Sequence, residues 1–179
     1  MADSKIENGM ELPPSTLICL QFMGAEKLAE LEQIVGHKFK NPALLVQAMT
    51  HKSCQFDIGG KVIIQSNEKL EHLGDKVVGL IVCKFLHLKY PDKSEHFYSQ
   101  VLEPSVSNKV LSQIGESIGL NRFLISRVKT LSATVMADAM EAVLGALFLD
   151  AGSDVVDNFL STCLYARVEE IANEKATLR

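Results

Sequence analysis

The chain has 179 residues, 47% of them hydrophobic and 22% charged, and a net charge of −4. That balance excludes a disordered chain, and the length suits one domain with or without a tail. There is no overall basic field to draw nucleic acid, so such a partner must be met by local lysines or through a bound cation.

Residues 1–14 read as a tail, because Asp, Ser, Asn, Gly and the Pro13-Pro14 pair give little helical tendency. A short apolar run follows from Leu17 to Met23. It is too short to span a bilayer and its leader is not basic, so neither a transmembrane helix nor a signal peptide is expected, and no membrane partner. Residues 1–24 are therefore set apart from a domain at 25–179. The spacing of Leu28, Leu31, Ile34 and Val35 predicts a helix from Ala25 to Val35, ended by Gly36. Asn41 caps the next helix, with Pro42 at its first position and Leu44, Leu45, Ala48 and Met49 inward. Cys54 to Gln65, with Gly59-Gly60, reads as a loop. Lys38, Lys40, Lys52 and Lys61 make this region locally basic, as a solvated face or as phosphate contacts.

A long helix runs from Ser66 or Asn67, both good caps, to about Tyr90, where Pro91 stops it. Its packing side is Leu70, Leu73, Val77, Val78, Leu80 and Ile81. Ser94 caps another helix, which Pro104 should kink or split before it resumes to Ile118. Leu120 to Val128 is a short, partly helical connection. A strongly apolar helix starts at Ser132 or Ala133, runs to Leu149 and is followed by Gly152; a last one runs from Ser153 or Asp154 through Val168. No segment alternates with period two for long, so the class is all-α, with about seven helices in one domain. The four cysteines, Cys19, Cys54, Cys83 and Cys163, form no CxxC pair and suit idle thiols in a reducing compartment. Cys83 and His87, one helical turn apart, supply only two of four zinc ligands, and core packing is the better reading.

The chemistry lies in two acidic stretches. Glu68, Glu71 and Asp75, at steps of three and seven, fall near one face of the long helix, and Gly74 beside them suits close approach by a second helix or a ligand. Asp138 and Glu141 repeat the three-residue spacing in TVMADAMEAVLGALFLD, which is otherwise almost entirely apolar. Two acids there are costly to bury as ions unless something positive neutralises them. Ala137, Ala139, Ala142, Gly145 and Ala146 would let this helix lie close to the Gly74 helix. Glu71, Asp75, Asp138 and Glu141 would then converge as oxygen-only ligands suited to Mg²⁺ or Mn²⁺. Otherwise they are exposed acids that solubilise their helices.

These residues also carry a family resemblance. NEKLEHLGD (Asn67 to Asp75) resembles the signature of the ribonuclease III family. LEQIVGHKFKNPALLVQAMTHKS (Leu31 to Ser53) resembles the helical hairpin before that signature, and ADAMEAVLGALFLDAG (Ala137 to Gly152) the family's second acidic helix. Order and spacing agree over about residues 26–172. The resemblance implies a dimeric, ribonuclease III-like endonuclease domain that hydrolyses double-stranded RNA to 5′-phosphate and 3′-hydroxyl ends with short 3′ overhangs. It places Glu71, Asp75, Asp138 and Glu141 as catalytic residues around the divalent ion, Mg²⁺ or a substituting Mn²⁺. Glu68 falls on the signature's other acidic position, and Glu95 on a further acid lining the cleavage valley. His72 stands where the family has an aromatic side chain that plugs a socket in the partner subunit of a homodimer. Leu102 replaces a frequent basic residue, and Lys76 follows Asp75 where a small residue is common.

Many family members continue into a double-stranded RNA-binding domain, whereas this chain stops at Arg179. Affinity for RNA is then expected from the nuclease domain itself, from a separate RNA-binding protein as partner, or from residues outside this sequence, and the expected location is intracellular, cytoplasm and nucleus not being distinguished. Two other classes stand beside the nuclease. A catalytically silent ribonuclease III fold would serve as an RNA-binding or ribosomal scaffold, but silent relatives often lose acids and every acid position here is filled. A helical di-metal carboxylate oxidase needs Glu-x-x-His pairs, and Glu71 and Glu141 are followed three residues on by Gly74 and Leu144.

Overall fold

The computed structural model describes residues 23–54, 56–58, 61–128 and 130–177. The expected tail and nearly all of the apolar run before the first domain helix lie outside them. The described residues form eight α-helices: α1 (Ala25–Val35), α2 (Pro42–Ala48), α3 (Glu68–Lys89), α4 (Glu95–Ser105), α5 (Asn108–Ser117), α6 (Ala133–Ala151), α7 (Ser153–Cys163) and α8 (Tyr165–Thr177). Among these residues no helix is long and apolar enough to cross a membrane.

Local chemistry accounts for most boundaries. Gly36 ends α1 in the left-handed conformation, at φ 68°. The side chains of Asn41, Ser94 and Ser132 each accept a backbone N–H in the first turn of α2, α4 and α6. Asn67 precedes α3 but makes no such bond. Pro104 lacks the N–H that would bond the Gln100 carbonyl; α4 ends one residue later, at Ser105, and α5 begins at Asn108, so the predicted split falls there.

Four expectations are corrected. The segment after Cys54 is not a plain loop: β1 (Phe56–Ile58) pairs antiparallel with β2 (Lys61–Ile64), the register shifting between Phe56 and Asp57. Strands this short cannot display a period of two. The final helical stretch is two helices, broken at Leu164 with no Gly or Pro to mark it. Leu80 is 62% exposed, off the packing side of α3. Cys83 and His87 also face solvent rather than the core, His87 meeting the Tyr98 ring edge-on.

The core is built around α6, buried on nearly every side from Met136 to Leu147, as a helix that is apolar all round must be. Its most extensive neighbour is α3, followed by α5. At the α3–α6 crossing each helix presents a glycine to the other's backbone. A Cβ on Gly74 would lie 1.7 Å from the Glu141 carbonyl oxygen, and one on Gly145 would lie 2.2 Å from that of Leu70. No side chain fits between the two helices at this level. At the far end of α6, Asp150 accepts hydrogen bonds from the backbone N–H groups of Lys40 and Asn41, at 3.0 and 2.9 Å, and pairs with His37 Nε2 at 2.8 Å. Although burial works against its charge, these partners together hold its carboxyl below the ordinary range. The α1–α2 connection is thereby tied to α6.

Since the Gly74 and Gly145 contacts are to backbone, Gly74→Ala or Gly145→Ala should destabilise by about 3 kcal/mol or more, or prevent folding. Gly79, in the same helix with nothing within 4 Å of a built Cβ, is the control. Gly79→Ala should be neutral or stabilising by up to about 1 kcal/mol. Denaturant unfolding of the three variants measures both effects.

Candidate metal centre

The crossing sets the site. Leu70 and Glu141 supply the two carbonyls that the glycines approach, and Glu71 is the next residue after Leu70. Oxygen atoms of Glu71, Asp138 and Glu141 consequently lie within 4.8 Å of one another. Three of the four predicted ligands therefore meet, contributed by two helices remote in sequence. Asp75 does not join that group. One of its oxygens lies 2.7 Å from Lys76 Nζ, although its charge still acts on Glu141.

Burial and mutual repulsion load the three carboxyls. Glu141 is only 8% exposed. Burial first, then the charges of Asp75, Glu71 and Asp138, push its pKa up to about 7. Burial also raises Asp138, against the opposing charges of Lys52 and His51. Glu71 is raised by burial, Asp138 and Glu68, and held back by Lys52 and His72. Such an all-oxygen set, too negative to be comfortable alone, fits a hard divalent cation.

The other predicted residues lie around this centre. Glu68 is exposed, accepts a hydrogen bond from Ser66 Oγ at 2.9 Å and stands 3.9 Å from Lys52 Nζ. His72 is exposed one residue beyond Glu71. Glu95, in the first turn of α4, is exposed and bonds Ser99 Oγ at 2.9 Å; it is outside the carboxylate group.

In the sequence Lys52 is only one of several basic residues. Its place is set by backbone bonds over long range: Asn67 N–H donates to the Thr50 carbonyl at 2.8 Å, and His51 N–H to that of Ile125 at 3.0 Å. These pin the turn after α2 beside the start of α3 and bring the Lys52 charge to bear on Glu68, Glu71 and Asp138. Asn67 was expected as a cap. It is instead 2% exposed, and its Nδ2 has no hydrogen-bond partner among the described residues.

The Glu141 shift carries a pH dependence. A raised pKa means the folded state prefers the protonated carboxyl. The associated stabilisation is full below the ordinary value of 4.5 and is lost as pH rises to about 7. The metal-free protein should therefore unfold at a lower temperature at about pH 8 than at about pH 5, and Glu141→Gln should flatten most of that difference. Thermal melts in chelator across this range check it.

Comparison with known proteins places the chain in a family. A family model described as Ribonuclease-III-like matches residues 41–168. The chain is similar to Ribonuclease 3 of Bdellovibrio bacteriovorus, 40% identical over 136 residues, which cover 73% of this chain and 57% of that protein. It is 33% identical to Ribonuclease 3 of Desulforamulus reducens over 152 residues, 82% of this chain and 61% of the relative. The chain thus spans less than two thirds of the length of these relatives. Among solved structures, the nuclease domain of Ribonuclease III from Campylobacter jejuni matches with a TM-score of 0.67 at 30% identity, covering 75% of this chain and 94% of that one. Dicer from Pichia stipitis matches with a TM-score of 0.56 at 25% identity, over 74% of this chain and 58% of that one. Both acidic helices, with all four predicted ligands, lie inside the matched residues, and the chain belongs to the ribonuclease-III-like family.

Proposed function

We propose that this chain is a divalent-metal-dependent endoribonuclease that cleaves double-stranded RNA, with residues 25–179 as its nuclease domain. The observation that carries this reading is the meeting of Glu71, Asp138 and Glu141 at the α3–α6 crossing. Glu71, Asp138 and Glu141 would hold the cation, Mg²⁺ or Mn²⁺, with Asp75 as the fourth carboxylate. Bound there, a divalent cation can activate water and stabilise charge on a phosphoryl oxygen. The protein's own contribution is the approach of the carboxylates and the burial of Glu141, whose ionisation a cation would offset. Glu68 and Glu95, both exposed, fit a role along the approach of the RNA. The products expected are 5′-phosphate and 3′-hydroxyl ends with short 3′ overhangs.

A homodimer belongs to this reading, because two sites are needed to cut opposite strands. The Campylobacter jejuni nuclease domain has a region involved in dimer formation. In this chain His72 is exposed on α3, and the large exposed Leu80 two turns on suits cover by a second copy. A separate RNA-binding protein would add affinity for RNA. Among the described residues Cys54, Cys83 and Cys163 are unpaired, and an intracellular location belongs to this reading.

Incubation with duplex RNA, with and without Mg²⁺, followed by end-group analysis tests the activity. Glu141→Gln should lower cleavage on the order of a hundredfold or more while leaving the fold intact by circular dichroism. Undiminished cleavage by the variant would contradict the assignment; RNA binding without cleavage by the wild-type protein would favour the scaffold reading.

A further inference from the structure

Lys76 stands at the edge of the carboxylate group and bears the opposite charge. Its Nζ lies 2.7 Å from Asp75 Oδ2, with the lysine side chain 69% and the aspartate side chain 44% exposed. The ammonium hydrogen-bonds Asp75, and its charge also acts on Glu141. Lys52 pairs with Glu68, outside the converging trio, although its charge also acts on Glu71 and Asp138. The two lysines therefore differ in what they occupy: Lys52 takes an acid outside the trio, whereas Lys76 engages the acid expected to complete it.

A carboxylate that turns toward a divalent ion brings that ion to the place the ammonium prefers, and like charges a few ångströms apart repel. We propose that Lys76 is a built-in competitor for the divalent cation, holding Asp75 aside in the metal-free protein and releasing it only when the ion displaces the ammonium. This chain then needs a higher divalent-cation concentration than its carboxylates alone would require. The inference rests on the metal reading of Glu71, Asp138 and Glu141.

The test is Mn²⁺ binding in the absence of RNA, by calorimetry and electron paramagnetic resonance, for the full chain and for Lys76→Gln, Lys76→Arg and Glu141→Gln. An exposed ion pair contributes up to a factor of about five to an equilibrium, so Lys76→Gln should bind Mn²⁺ about threefold to fivefold more tightly. Lys76→Arg should bind as the wild type does. In an Asp75→Asn background the gain from Lys76→Gln should disappear. Equal or weaker binding by Lys76→Gln, with binding still abolished by Glu141→Gln, would overturn the competitor role while leaving the metal site standing. No saturable Mn²⁺ binding that Glu141→Gln removes would overturn the site reading, and the competitor role with it.

Discussion

The absence of two side chains governs this molecule. Gly74 and Gly145 face each other's helix backbones so closely that even a methyl group on either would collide with a carbonyl. Because the helices meet at this distance, side chains one turn from each glycine share a small volume. Leu70 continues into the core, while Glu71 and Glu141 turn their carboxyls toward Asp138. The same crossing thus gives the fold its tightest contact and the site its ligands. A wider crossing would separate the acids and lower their mutual repulsion together.

That arrangement has an energetic consequence. Three carboxyls in a half-buried space cannot all ionise cheaply, and Glu141 shows it most, being the most buried of them and repelled by three neighbours. The rest of the helix around Asp138 and Glu141 is committed to the core, with Met136, Met140 and Leu144 fully buried. The acids therefore cannot rotate out to water without unpacking α6. A site in which charge is unfavourable and escape is blocked selects for a compact, strongly charged cation. The surrounding ammonium groups relieve part of that repulsion: Lys52 pairs with Glu68 and acts on Glu71 and Asp138, and Lys76 pairs with Asp75 and acts on Glu141.

Much of this was legible in the sequence, for identifiable reasons. The helices α1, α2 and α3 carry a helical period and α6 a long apolar run, each with a glycine, proline or capping side chain at an end. Asp138 and Glu141 stood out because acids in an apolar helix need a cause, and Gly74 and Gly145 because small residues permit close packing. What was not legible depended on contacts between remote residues or on signals too short to register. The hairpin strands have three and four residues, fewer than alternation needs. The break at Leu164 has no punctuating residue. The role of Asp150, which caps a connection more than one hundred residues earlier, and the position of Lys52 come from tertiary hydrogen bonds. Asp75 stands outside the trio and pairs with the neighbouring Lys76, a contact that helix geometry alone does not specify.

The measurement that bears most directly on the account is anomalous diffraction from a crystal of this protein grown with Mn²⁺ and no RNA. The account predicts one strong peak per chain at the α3–α6 crossing, about 2.0–2.2 Å from carboxylate oxygens of Glu71, Asp138 and Glu141. A crossing free of manganese at saturating concentration, or a peak held by other side chains alone, would contradict it.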